Sequence, residues 1–228
     1  MHTHFNLHNY NNIKWQDKKI LKSFCIKDLD LHIPRRAVIF AGKPSYKNME
    51  TKRPATDKAL VSLIMGSTSD YPIMEAAAKF LNEQEVPFEI LAFSAHRTPM
   101  EVIEFAQKAE ERGVRVIIAA AGMAAHLPGV IAALTPLPVI GVPIKSSIEG
   151  IDAAFAILQM PPGIPVATVA INGALNAAIL ALQILSVGTD ETAVFYRQKV
   201  MAHKKSLKEK IKKANEDLKT KDFTYRVK

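Results

Sequence analysis

The stretch ALVSLIMGSTSDYPIMEAAAKFLNEQEVPFEILAF, residues 59–93, contains the repeating unit of the fold. An apolar run ends at a glycine and several small hydroxyl residues, apolar residues then recur at helical spacing, and a second apolar run follows. Ile73, Met74, Ala77, Phe80 and Leu81 lie three or four residues apart wherever the spacing opens, which on a helix makes one stripe able to face a sheet. Two strands joined by a crossover of helix length form a parallel pair.

The alternation continues beyond this unit. Five strands are expected, at residues 59–65, 87–93, 114–121, 137–144 and 165–171. Four are nearly continuous in apolar residues, as strands covered by helices on both faces should be, whereas Glu89 marks the second as nearer an edge. After the second strand, Thr98 stands at an N-cap, Pro99 at the first helical position and Glu101 where it would complete a capping box. That helix is expected to run to Arg112 and stop at Gly113. The run from Val169 to Val187 is interrupted by Asn172, Gly173, Asn176 and Gln183, so it reads as buried core rather than a membrane span. Residues 190–218 read as a helix whose charged second half suits solvent or a partner. The expected class is α/β with a central five-stranded parallel sheet.

The 228 residues suffice for one substantial domain of roughly 100 to 200 residues plus extensions. The net charge of +8 is unevenly placed. Residues 1–58 hold 12 basic against 5 acidic residues, residues 59–203 hold 8 against 13, and residues 204–228 hold 10 against 4. An acidic body with basic ends is read as solvated tails, not as a nucleic-acid or membrane contact. Residues 1–57, polar and with HIPRRAVIF as their only strand-like patch, are read as a flexible extension, and 219–228 as a basic tail. Met49 offers an alternative translation start. The single Cys25 cannot form an internal disulfide, which fits a reducing, cytoplasmic setting. The opening MHTHFNLHNYNN lacks the basic start and apolar stretch of a secretory signal.

Ligands of open parallel sheets bind beyond the carboxyl ends of the strands, which directs attention to GSTSD (66–70), SAHRTP (94–99) and AGMAAHLPG (121–129). The first places small hydroxyls before a helix, an arrangement that suits a phosphate or merely caps the helix. Asp70 would repel an anion and better suits the hydroxyls of a ribose. In the second, His96 suits proton transfer and Arg97 bidentate phosphate contact. His96 and His126 are the only histidines between residues 59 and 202, and both fall in strand-end loops, which favours a shared site. Neither shows the close ligand pairing of a zinc motif, and no P-loop, dinucleotide fingerprint or nucleophile elbow is present, so no metal is expected.

GSTSD, SAHRTP, AAHLPG, LPVIGVP, ILQMPPGIPVATVAI and GALNAAILALQIL, in this order, closely resemble the 5-(carboxyamino)imidazole ribonucleotide mutase family of purine biosynthesis, the PurE proteins. The resemblance covers about residues 59–218. It implies a flavodoxin-like three-layer α/β/α sandwich, assembled as an octamer with sites where subunits meet, and a carboxylate transfer on a ribonucleotide without ATP, metal or organic cofactor. By motif position it makes His96 the general acid and base. Ser67, Asp70 and Arg97 become substrate-binding residues, with Ser69 and Ser94 as further phosphate contacts. The loop carrying Ala124, His126 and Leu127 would line the pocket that retains carbon dioxide, its amides available to the moving carboxylate.

Three departures accompany the match. Met123 stands where many members have a glycine, KSSIEGID (145–152) is about one residue short, and INGALNAA (171–178) lacks a short glycine-alanine segment. Two other readings are a carboxylase adding carbon dioxide directly to aminoimidazole ribonucleotide, and a noncatalytic nucleotide-binding module.

Overall fold

The computed structural model describes residues 55–227. The expectations for residues 1–54, among them the HIPRRAVIF patch, Cys25 and Met49, lie outside the described residues. In chain order the elements are β1 (Val61–Met65), α1 (Tyr71–Glu83), β2 (Phe88–Ala92), α2 (Pro99–Lys108), β3 (Val116–Gly122) and α3 (Leu127–Ala132). They continue with β4 (Val139–Ile144), α4 (Ile151–Leu158), β5 (Ala167–Thr168), α5 (Ala174–Leu185) and α6 (Glu191–Lys219). The five strands form one parallel sheet in the order β2-β1-β3-β4-β5, the flavodoxin-like arrangement.

Strand periodicity divides the core in two. Val61, Leu63 and Met65 of β1, with Val116, Ile118 and Ala120 of β3 and Ile140, Val142 and Ile144 of β4, point to the layer of α1, α5 and α6. Ile64, Ile117, Ala119, Ala121 and Val139 point the other way, against Val102 and Phe105 of α2, Ile131 of α3 and Ile157 of α4. Every residue of β1 and β4 is buried, which explains why these strands carry no alternating polar face. Ser62 is the one buried polar residue of this core, and its hydroxyl donates to Glu89 on β2. Glu89 also accepts from Arg112, 3.1 Å away, so the edge position of β2 accommodates a carboxylate held by two donors.

Met74, Ala77, Phe80 and Leu81 form the buried stripe of α1, and the 169–187 run becomes β5's exit and the well-buried α5. Three expectations are corrected. The fifth strand keeps only two paired residues, because neither Pro165 at its start nor Pro143 opposite its end has an N–H to extend the ladder. The second helix ends at Lys108 and reaches Gly113 through turns rather than continuing to Arg112; Gly113, at φ +97°, supplies the left-handed exit. The Thr98 capping box does not form, since Thr98 makes no side-chain bond to the helix. The first turn of α6 is capped by Asp190, whose carboxylate accepts from the Ala193 N–H at 2.7 Å. Its second half is exposed, as its charge pattern predicts. No helix among the described residues is long and apolar enough to cross a membrane.

β4 packs tightly against α4 at Gly141, where a Cβ would stand 2.4 Å from Ile157 Cγ2 and 3.0 Å from Val166 Cγ1. Both neighbours are β-branched, which restricts the rotamers open to them, and Ile157 is fully buried. Gly141→Ala should therefore lower stability by about 1–3 kcal/mol through overpacking. Urea unfolding with an unchanged midpoint would show that the α4 layer yields without cost.

Candidate active site

At the carboxyl edge of the sheet, the loops after β1, β2 and β3 border one cavity of about 490 Å³. Strand order explains the convergence: β1 lies between β2 and β3, so three successive strand ends are spatial neighbours. Ser67, Ser69, Asp70, Ser94, His96, Arg97, Ala124, His126 and Leu127 all border this cavity.

In the first loop, Thr68–Asp70 form a single 3-10 turn capped by Ser67, whose Oγ accepts from the Ser69 N–H at 3.3 Å and lies 2.8 Å from Ser69 Oγ. The helix-capping reading of GSTSD thus holds for Ser67. It fails for Asp70, which precedes α1 without making a side-chain cap bond. The Asp70 carboxylate is left facing the cavity side. Burial pushes its pKa above the usual carboxylate range, against the opposing pull of hydrogen bonds from Ser67 and Ser69 and of the Arg97 charge.

The second loop is a closed turn. Thr98 Oγ1 accepts from the Ser94 N–H at 2.8 Å and donates to the Ser94 carbonyl at 3.2 Å, while the Thr98 N–H bonds that same carbonyl. The hydroxyl expected to cap α2 instead ties the ends of the turn together, because its nearest unsatisfied partner is the Ser94 peptide. Ala95, His96 and Arg97 are presented at the tip. Ser94 is drawn into the same knot, its Oγ accepting from the Arg97 N–H at 3.3 Å. Arg97 Nη2 donates to the Gly66 carbonyl at 2.7 Å, joining the second loop to the first. Its guanidinium has five donors, so this bond leaves others for an anion.

The third loop brings His126 to His96. His96 Nε2 and His126 Nδ1 are 2.9 Å apart, with the rings edge to face at 77°. One proton must lie between the two nitrogens, and either tautomer satisfies the bond. Ala124 is exposed at the cavity, whereas Leu127, the first residue of α3, borders it and is also buried in the core cluster with residues of α2. Met123 adopts φ +54°, a left-handed conformation that costs a non-glycine residue about 1–2 kcal/mol. The departure from glycine at this position is therefore a backbone matter as much as one of side-chain bulk.

Sequence reasoning missed Ser146. It borders the cavity from the loop after β4, and its Oγ accepts from the Met123 N–H at 3.1 Å. The rule that drew attention to the first three strand ends would have found it if applied to the fourth. The shortened stretch around it turns through three successive left-handed residues, Ile148, Glu149 and Gly150. Near INGALNAA, Asn172 is also left-handed, at φ +56°, and its Oδ1 accepts from the Lys145 N–H at 2.9 Å. The donors of Ser67, Ser69 and Arg97 suit a phosphate, and Asp70 suits hydroxyls. Among the described residues no group of three His, Cys, Asp or Glu gathers to hold a metal ion.

Comparison with known proteins matches residues 60–219 to the AIR carboxylase family. The N5-carboxyaminoimidazole ribonucleotide mutase of Pyrococcus horikoshii is 56% identical over 162 residues, 71% of this chain and 92% of that protein. The mutase of Thermotoga maritima is 53% identical over 152 residues, 66% of this chain and 86% of that protein. Phosphoribosylaminoimidazole carboxylase of Candida glabrata is 57% identical over 131 residues, 57% of this chain but only 23% of that longer protein. Among solved structures, Treponema denticola PurE superimposes with a TM-score of 0.59 at 29% identity, over 68% of this chain and 98% of that one. The sheet, the three converging loops and the paired histidines all lie within the matched span, and the chain belongs to the AIR carboxylase family of PurE proteins.

Proposed function

We propose that the chain interconverts 5-carboxyamino-1-(5-phosphoribosyl)imidazole and 5-amino-1-(5-phosphoribosyl)imidazole-4-carboxylate in purine biosynthesis. The carrying observation is His96 set 2.9 Å from His126 at the mouth of a cavity whose other wall holds hydroxyls, Asp70 and Arg97. The relatives matched over most of their own length are named mutases, which favours this reading over direct carboxylation or a noncatalytic module.

Ser67, Ser69, Ser94 and Arg97 hold the phosphate, and Asp70 accepts from the ribose hydroxyls. The bond from the exocyclic nitrogen to its carboxylate breaks, carbon dioxide leaves, and the nitrogen takes a proton from His96. The ring carbon then attacks the retained carbon dioxide, a carbon–carbon bond forms, and the ring proton returns to His96. The proton count closes without ATP, a metal or an organic cofactor. His96 must serve as acid and then as base, and contact with a second imidazole lets its proton be placed on either ring nitrogen. His126 is a positioning residue in this scheme, and Ala124 and Leu127 border the space where carbon dioxide is kept.

The working unit is residues 58–218 followed by the basic tail, acting in the cytoplasm as a homo-octamer. Ile148, Ile151, Phe155 and Leu158 support assembly: they are 47–70% exposed and spaced to form one apolar face running from the Ser146 loop along α4. Light scattering should give eight chain masses.

The purified protein should convert the carboxyamino ribonucleotide without ATP; turnover of only aminoimidazole ribonucleotide with carbon dioxide would overturn the mutase reading. His96→Asn should keep the fold and ligand binding yet lower turnover by at least about 100-fold, the scale of a lost acid-base group. Near-normal turnover would remove His96 from the chemistry.

Asp70 gives a pH prediction of definite sign. Its raised pKa means that the folded chain binds this proton more readily than the unfolded chain, so the ionised carboxylate detracts from stability at neutral pH. That deficit is relieved as pH falls through the raised value. Asp70→Asn should accordingly raise the melting temperature at neutral pH, with the gain shrinking under acid, while weakening substrate binding. A melting temperature lower than that of the parent at neutral pH would contradict the burial argument.

A further inference from the structure

The cavity wall opposite Arg97 contains a side chain to which the scheme above assigns nothing. Ser146, two residues past β4, is exposed at the cavity and touches the third loop at two consecutive residues. Its Oγ accepts from the Met123 N–H at 3.1 Å. It also lies so close to Gly122 that a Cβ there would meet Ser146 Oγ at 2.9 Å and the Ile144 carbonyl at 3.3 Å. Gly122 is thereby required to be small, and the N–H of the left-handed Met123 is bonded by this hydroxyl.

Accepting from Met123 uses a lone pair of the serine and leaves its proton. A hydroxyl donates once and accepts twice, and among the described residues no acceptor is recorded for the Ser146 proton. The other cavity-facing hydroxyls lie on the loops of β1 and β2, on the side given to phosphate and ribose. Ser146 is the hydroxyl on the side of Ala124 and His126, where the moving carboxylate must be held.

We propose that Ser146 is a substrate-binding residue for that carboxylate: its proton donates to the carboxylate oxygen while its lone pair fixes the Met123 amide and so the loop that encloses carbon dioxide. This rests on the mutase reading, but concerns only the carboxylated end of the ligand. A hydrogen bond to a charged group is worth roughly 10- to 100-fold in binding.

The test compares two ligands, aminoimidazole ribonucleotide and its 4-carboxylate, by calorimetry with the parent protein and with the variants Ser146→Ala and Ser146→Thr. Ser146→Ala should weaken the carboxylated ligand by about 10-fold or more and leave the uncarboxylated one within about twofold, in a protein that remains folded. During turnover it should release a larger fraction of free aminoimidazole ribonucleotide, because carbon dioxide escapes. Ser146→Thr, which restores the hydroxyl, should recover both properties. Equal weakening of both ligands, or none of either, in a folded Ser146→Ala protein would overturn the inference. A parent protein that binds neither ligand would overturn the mutase reading instead, so the two failures are distinct.

Discussion

Burial of the central strands on both faces is the constraint on which the rest of this molecule depends. A parallel sheet flanked by two helical layers leaves its backbone no lateral access to water, so the chain can meet a ligand only at the strand ends. β1, β3 and β4 satisfy this with side chains that are almost all apolar, and Ser62 is tolerated because Glu89 receives its proton. With β1 between β2 and β3, three loops of small and polar residues are brought to one edge. Functional geometry is thus a consequence of how the core is filled.

Hydrogen bonds between loops then give that edge its shape. Thr98 closes the turn that carries His96 and Arg97, Arg97 reaches the Gly66 carbonyl, and Ser146 holds the Met123 amide. Each bond joins a side chain to a main-chain group, and two of the three cross between loops of different strands. Such bonds position a loop without needing it to be buried, which leaves the cavity wall polar and open to a ligand. The His96–His126 contact is the only direct link between the second and third loops among the hydrogen bonds described.

The site is also where the fold accepts unfavourable local terms. Burial raises the pKa of Asp70 by disfavouring its charged form, and Met123, Ile148 and Glu149 adopt left-handed backbone that their side chains resist. The exposed apolar face that includes Ile148 continues from there along α4. Strain at Met123, Ile148 and Glu149, an unfavourably placed charge and part of the exposed apolar surface thus meet at the carboxyl edge. That pattern is expected where geometry is set by a ligand or an assembly rather than by the stability of one chain.

The sequence by itself determined the order and type of the main elements, because burial imposes periodicities of two and 3.6 that show in the identities of residues such as Leu63, Ile118, Met74 and Leu81. It determined the edge position of β2 through Glu89 and directed attention to three strand ends, with Asp70, His96, Arg97 and His126 among them, because strand ends are readable wherever apolar runs meet glycine and hydroxyl residues; the PurE resemblance added Ser67, Ser69, Ser94, Ala124 and Leu127 by motif position. What only the tertiary structure decided were the partners: Thr98 with Ser94 instead of α2, Asp70 with the cavity instead of a cap, Leu127 with the core, His126 with His96, and Ser146 with Met123. These pairings were not legible because a polar side chain can bond whichever group lies near, as Thr98 does four residues back, and because nearness across the 30 residues between His96 and His126 or the 23 between Met123 and Ser146 is set by the packing of the sheet.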